Sequence, residues 1–207
     1  MGRRSDHTRP ELEGLFIEEG LRQLAEVGLQ RFSAREVAKR VGYSVGSLYN
    51  VFGSVDGLIL ALNARTLTRL AAELRARLAA CEDDRIATLV RAYFEFAADN
   101  PKPWIAIFET RMADGGPAPD WYQALVADLM SVVAGEVAIA LPGLDSAAIL
   151  SLTRSLVAVV HGHCAFALYR TFDMLGETAP IDVALMRVRE ALEAARLATH
   201  PGTSSHA

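Results

Sequence analysis

Apolar side chains recur along the chain at intervals of three and four residues, the period of one helix face, while alternating apolar–polar runs are nearly absent. The spacing predicts a first helix over 10–27, with Leu12, Phe16, Ile17, Leu21 and Leu24 on one side. Pro10 suits a first helical turn and Gly28 a helix stop. Gly14 and Gly20 inside it each cost about 1 kcal/mol against Ala, a cost that close packing at Gly20 offsets. Ser33-Ala-Arg-Glu36 reads as a capping box opening a short helix over 33–40. Gly42-Tyr43 supplies a tight turn, and Ser44 caps a third helix over 44–51. A long helix follows over 54–80, carrying Leu58, Leu62, Leu67, Leu70, Leu74 and Leu78.

The remainder also reads as helical. Segments are predicted over 84–99, from Asn100-Pro101 to about Met112, over 119–140, over 146–171 with Asp145 as cap, and over 181–198. Loops are predicted over 114–119 and 173–180, and 200–207 reads as a disordered tail. The fold class is therefore all-α. Residues 1–53 are expected to form a three-helix domain, with 1–9 as a flexible arm, and residues 54–199 a larger helical domain.

Two short helices joined at Gly42, braced by the helix before them, describe a helix-turn-helix. Val37, Ala38, Val41 and Leu48 are small or apolar where the two helices cross, and Gly42 allows the left-handed turn. The second helix offers Ser44, Val45, Ser47, Tyr49 and Asn50, short polar or aromatic groups that can reach base edges or phosphates. Charge at first argues against nucleic acid, since the net charge is −4 and the pI about 5.7. The distribution is uneven. Residues 1–53 hold 8 cationic and 7 acidic side chains and are net +1; the rest hold 13 and 18 and are net −5. Arg31, Arg35, Lys39 and Arg40 fall together, so a local basic face is open to an acidic protein, beside the plainer reading of a solvated mixed-charge surface. Two cysteines, Cys81 and Cys164, make no disulfide scaffold and suggest a reducing compartment. No uninterrupted run of about 20 apolar residues is present, and no apolar signal region follows Arg3 and Arg4. A soluble cytoplasmic protein without a membrane partner is expected.

The run Phe32-Ser-Ala-Arg-Glu-Val-Ala-Lys-Arg-Val-Gly-Tyr-Ser-Val-Gly-Ser-Leu-Tyr-Asn-Val-Phe52, followed by Ser54-Val-Asp-Gly-Leu58, resembles the TetR family of bacterial transcriptional regulators. The resemblance covers about 15–62 at fixed spacing. His161-Gly162 and Asn100-Pro101…Phe108-Glu109 resemble one recurrent C-terminal type, called WHG. The resemblance implies a double-stranded DNA operator as partner, with Tyr49 on phosphate, Ser44, Val45, Ser47 and Asn50 in the major groove, and Ser33 and Arg35 holding phosphate. It also implies a homodimer in which helices 146–171 and 181–198 pair across a two-fold axis. Such a dimer sets two recognition helices about 34–36 Å apart.

The sequence departs from the family at Val45, Val55, Asn50 and Val51, the last two standing where residues are often basic or aromatic. Many members carry Lys where Val45 and Val55 stand, and each missing phosphate contact removes nearly one unit of salt-dependence slope. Weaker non-specific DNA affinity is expected, unless Arg3, Arg4 and Arg9 on the arm compensate.

Other chemistry fits poorly. Gly42-Tyr-Ser-Val-Gly46 matches a nucleophile elbow, but that elbow needs a preceding strand, and a helix is predicted there. No catalytic set is expected, so the protein reads as no enzyme. His161 and Cys164 share a helix face without a nearby third ligand, so neither metal nor cofactor is expected. The aromatic residues of the C-terminal half read first as ordinary core. Their functional reading is an apolar pocket for an unidentified small-molecule effector, with Tyr93, Trp104, Phe108, Met112, Trp121, His161 and Tyr169 as candidates. No cation cluster marks an anionic ligand, so an uncharged or cationic apolar compound is favoured. The resulting expectation is a repressor released from a palindromic operator by a small apolar ligand. The alternative is an all-α small-molecule-binding protein with a vestigial helix-turn-helix.

Overall fold

The computed structural model describes residues 7–110 and 116–199, and among the described residues there is no strand. The helices are α1 (Arg9–Val27), α2 (Ala34–Val41), α3 (Val45–Phe52), α4 (Val55–Ala79), α5 (Arg85–Asp99), α6 (Pro101–Glu109), α7 (Asp120–Ala140), α8 (Ser146–Leu168), α9 (Thr171–Leu175) and α10 (Pro180–Thr199). A single 3-10 turn, Leu29–Arg31, joins α1 to α2. Local signals fix most boundaries. Ser33 caps α2 by accepting from the Glu36 amide at 3.3 Å, Ser44 caps α3 through Ser47 at 3.1 Å, and Asp145 caps α8 through Ala148 at 2.8 Å. Only half of the expected capping box forms: Glu36 turns to Arg40 at 3.1 Å instead of reaching back. A box not foreseen opens α1, where the Thr8 amide donates to Glu11 at 2.7 Å. That hydrogen bond, with the one from the Thr8 hydroxyl, holds the Glu11 carboxyl below the usual carboxylate range.

Three expectations are corrected. α1 begins at Arg9, whose guanidinium donates to the Val51 carbonyl at 3.4 Å, so Arg9 belongs to the helix rather than to an arm. α8 stops at Leu168 instead of running to 171, because Arg170 adopts the left-handed conformation at φ 58°. The expected loop at 173–180 begins as α9. Among the described residues, α7 and α8 are long and apolar enough by mean hydropathy to cross a membrane. Mean hydropathy tolerates the isolated charges that interrupt an unbroken apolar run, Asp128 and Glu136 in α7 and Arg154 in α8. Few of their residues are fully buried in the single chain.

The helices pack as two compact units, one from residues up to 69 with 100–125, the other from 70–99 with 126 onward. α4 and α7 each run from one unit into the other. In the first unit Phe16, Leu24, Val37, Leu48, Leu58 and Leu62 are fully buried. A Cβ on Gly20 would stand 2.8 Å from Leu62 Cδ2, so the missing side chain is what lets α1 and α4 touch. α6 joins this core through buried Ala106. Asn63 Nδ2 on α4 donates to the Ala106 carbonyl at 3.3 Å and to Thr110 Oγ1 at 2.8 Å. In the second unit α10 packs on α8 and α5, and α5 on α8. Arg85 binds buried Glu136 through two hydrogen bonds, 2.6 and 2.7 Å, and also donates to the Leu78 carbonyl at 3.0 Å.

Candidate functional site

The turn between α2 and α3 is built as helix crossing demands. Gly42 sits at φ 86°, ψ 22°, the left-handed region that glycine adopts without strain. Ala38 and Val37 on α2 and Leu48 on α3 are buried against α1. With Leu48 inward, Ser44, Gly46, Tyr49 and Asn50 stand outward on the same short helix. Tyr49 is 43% exposed, which answers the core-packing alternative for that ring. Phe52 does turn to the core, meeting Phe16 edge-on at 6.1 Å.

The candidate residues differ in how committed they already are. The Ser44 and Ser47 hydroxyls are 3.0 Å apart, and Ser33 spends its hydroxyl on the α2 cap. The Ser33 amide donates to the buried Gln23 side chain at 2.8 Å, which ties α2 to α1. Val45 is half-buried on the core, as is Val55, so both valines pack where a lysine would project. Arg40 is held by Glu26 at 2.8 Å, Glu36 at 3.1 Å and Glu19 at 3.2 Å; Arg22 also pairs with Glu19. Lys39 is 3.8 Å from Glu36. Arg31 and Arg35 are exposed and, among the described residues, make no ion pair. The basic run thus divides into a bracing half and an outward half.

A second feature lies in the other unit. Helices α4, α5, α7, α8 and α10 border a half-open cavity of about 80 Å³ whose lining includes Leu74, Leu89, Tyr93, Val133, Val160 and Val188. The Tyr93 hydroxyl lies 3.0 Å from His161 Nδ1. Burial pushes the His161 pKa below its ordinary value. The other aromatic candidates are elsewhere. Trp104 and Phe108 belong to the first unit, where Trp104 is buried and meets the 53% exposed Phe108 at 5.0 Å. Trp121, in the first unit, lines a separate groove with Phe52, Leu60 and Arg65. Tyr169 is exposed at the end of α8, and Met112 lies outside the described residues. The aliphatic lining was missed, since Leu and Val at helical spacing give one signal for a cavity wall and for solid core.

Competing chemistries meet specific obstacles. α2 precedes Gly42 where an elbow needs a strand, and Ser44 serves as a cap. Cys164 is buried and its thiol is pushed up to about 12. Among the described residues no group of three His, Cys, Asp or Glu side chains is placed to hold a metal.

Comparison with known proteins bears on both features. Residues 16–62 match the family model described as bacterial regulatory proteins, tetR family; residues 86–192 match the one described as tetracyclin repressor-like, C-terminal domain. The chain is 29% identical over 126 residues to the HTH-type transcriptional regulator Rv1816 of Mycobacterium tuberculosis, covering 59% of this chain and 51% of that protein. It spans about half the length of the curated relatives it matches. The solved regulatory protein SCO4313 is 25% identical, with a TM-score of 0.67 over 90% of this chain and 95% of its own. A protein of unknown function from Rhodococcus sp. RHA1 is 20% identical, with a TM-score of 0.72 over 93% and 98%, a likeness of fold.

Proposed function

The chain belongs to the TetR family, and from that premise we propose that it is a sequence-specific DNA-binding transcriptional regulator rather than an enzyme. It acts in the cytoplasm as a homodimer, a repressor released from an inverted-repeat operator by a small apolar ligand. The observation that carries the reading is the division of α3: Leu48 is fully buried while Tyr49 and Asn50 stand exposed beside it. Tyr49, Ser33 and Arg35 hold phosphates, and Ser44, Val45, Ser47 and Asn50 meet base edges. Of these, Arg35 is the cation free to neutralise phosphate, while Arg40 keeps α2 seated on α1.

Pairing of α8 and α10 with their copies would cover apolar side chains that the single chain exposes, including Leu150 and Phe166 on α8 and Met186 and Leu197 on α10. The ligand site is the cavity beside Tyr93 and His161. α4 carries Leu58 into the core beneath the recognition helix and Leu74 into the cavity wall. A ligand that shifts this helix therefore changes the DNA-binding population, the two-state coupling that repression and release require.

The experiment is a selection of sheared genomic DNA by the purified full chain at moderate salt with non-specific competitor. The expected result is enrichment of a short inverted repeat. No enrichment down to low salt overturns the reading and favours a ligand-binding protein with a vestigial helix-turn-helix. Val45 and Val55 support that second reading, since both are packed on the core and neither offers a charge to phosphate.

A further inference from the structure

The half-open cavity of the second unit is walled by hydrocarbon. Eleven of the thirteen described side chains that line it are Leu, Ile or Val; the others are Met130 and Tyr93, and practically no polar surface faces the space. The Tyr93 hydroxyl is engaged with His161 at 3.0 Å. Apart from Ile86 in the first turn of α5, the lining residues lie inside helices, where N–H and C=O groups bond along the helix. The buried carboxylate next to the lining, Glu136 beside Val137, is matched by Arg85 at 2.6 and 2.7 Å. A charged or hydroxylated occupant would leave its polar group unmatched, which is costly away from water. A water there would lack the several polar partners it needs. The space is also fixed in shape. Six of the lining residues are valines, contributed by α5, α7, α8 and α10. A valine in a helix has one strongly preferred rotamer and no further carbon to swing inward. The volume of about 80 Å³ is roughly half that of a hydrocarbon-lined cavity of ~150 Å³ that stays dry and accepts benzene or xenon.

We infer that the cavity takes a small hydrocarbon bare of any hydrogen-bonding group, and that neither Tyr93 nor His161 offers it a polar contact. The inference rests on the reading of this cavity as the effector site. It narrows the sequence-based expectation of an uncharged or cationic apolar compound to one without charge, hydroxyl or amine. Selection then acts through shape and buried apolar area alone. The phenol and imidazole satisfy each other at the edge of the lining and hold α5 to α8.

The test uses the full chain and three probes of matched size at pH 7.5: n-pentane, 1-butanol and butylammonium. Binding is read as saturable methyl NMR shifts of Val133 and Val160, which locate the site without any substitution. n-Pentane is expected to bind there, and 1-butanol and butylammonium to bind more weakly by about tenfold or more, the cost of an unmatched polar group. A phenol that bonded the occupant would contribute about three- to tenfold in affinity. Tyr93→Phe is therefore expected to change n-pentane binding by less than about threefold. Val133→Phe is expected to fill the space and remove binding; Val160→Leu narrows it by one methylene if the larger residue disturbs folding. Three outcomes each overturn the inference: no saturable shift with n-pentane, either polar probe bound within about tenfold of it, or a larger loss in Tyr93→Phe. Enrichment of DNA by the same protein is read separately. Failure of the probes leaves the regulator reading standing, and failure of DNA enrichment with n-pentane bound at the valines sinks that reading alone.

Discussion

Tyr93 on α5 and His161 on α8 are joined by a hydrogen bond of 3.0 Å between the phenol oxygen and the imidazole Nδ1. They are 68 residues apart in sequence, and the bond ties two helices at the edge of the cavity. Burial lowers the His161 pKa from its ordinary value of 6.5. In the window just below pH 6.5 the unfolded chain binds a proton that the folded chain refuses, so unfolding takes up a proton and stability falls as pH falls. The melting temperature is expected to drop between pH 7 and pH 5.5 more steeply in the wild type than in His161→Gln. Parallel curves for the two proteins would show that His161 is not the titrating group.

Gly57, in the first turn of α4, lies so close to the end of α3 that a Cβ there would run into the Phe52 carbonyl oxygen. A backbone atom cannot swing aside as a side-chain tip does. Gly57→Ala is therefore expected to cost about 1–3 kcal/mol, the range of overpacked sites. Gly14→Ala, where a Cβ meets nothing within 4 Å, is expected to stabilise by up to ~1 kcal/mol through helix propensity. Denaturant midpoints of the two variants check the contrast, and equal shifts would refute it.

The Arg85–Glu136 pair is lopsided, with the Glu136 side chain 8% exposed and that of Arg85 38%. Removing the arginine strands a buried carboxylate, whereas removing the glutamate leaves a cation that reaches water. Arg85→Leu is expected to lower the melting temperature more than Glu136→Leu, and the double variant to recover part of the loss. A double variant as unstable as the sum of the singles would show that the two residues act independently.

Arg35 and Arg40 stand five residues apart and are expected to act on DNA differently. Arg35→Ala should weaken operator and non-specific DNA alike and reduce the salt-dependence slope by about 0.9, one phosphate's share. Arg40→Ala, which releases Glu19, Glu26 and Glu36, should lower thermal stability while changing that slope little. Binding measured across a salt series separates the two, and matching slopes for the variants would contradict the assignment.

The turn and caps were legible because each is settled within a few residues. Gly42 was predicted to turn left-handed and Ser44 to cap, and both outcomes depend on neighbours at most five positions away. The single buried position of α3 followed from the same local period. The break at Tyr169–Arg170 was not legible, since neither residue is a Gly or Pro signal for a helix end. The aromatic candidates shared a composition signal, yet Trp104 is buried in one compact unit and Tyr93 lines a cavity in the other.

The sequence by itself determined an all-helical chain, a helix-turn-helix near its N-terminus and the inward place of Leu48 on α3. Those follow from hydrogen bonds and side-chain periods that close over three to five residues, where the partner of each group is set by the chain itself. Tertiary structure alone decided that Arg40 is held by three carboxylates, that Gly20 admits Leu62, and that aliphatic residues from five helices leave a space beside Tyr93 and His161. Each of these depends on which helices become neighbours. A leucine that fills a core and a leucine that borders a cavity obey the same spacing, and only the packed geometry separates them.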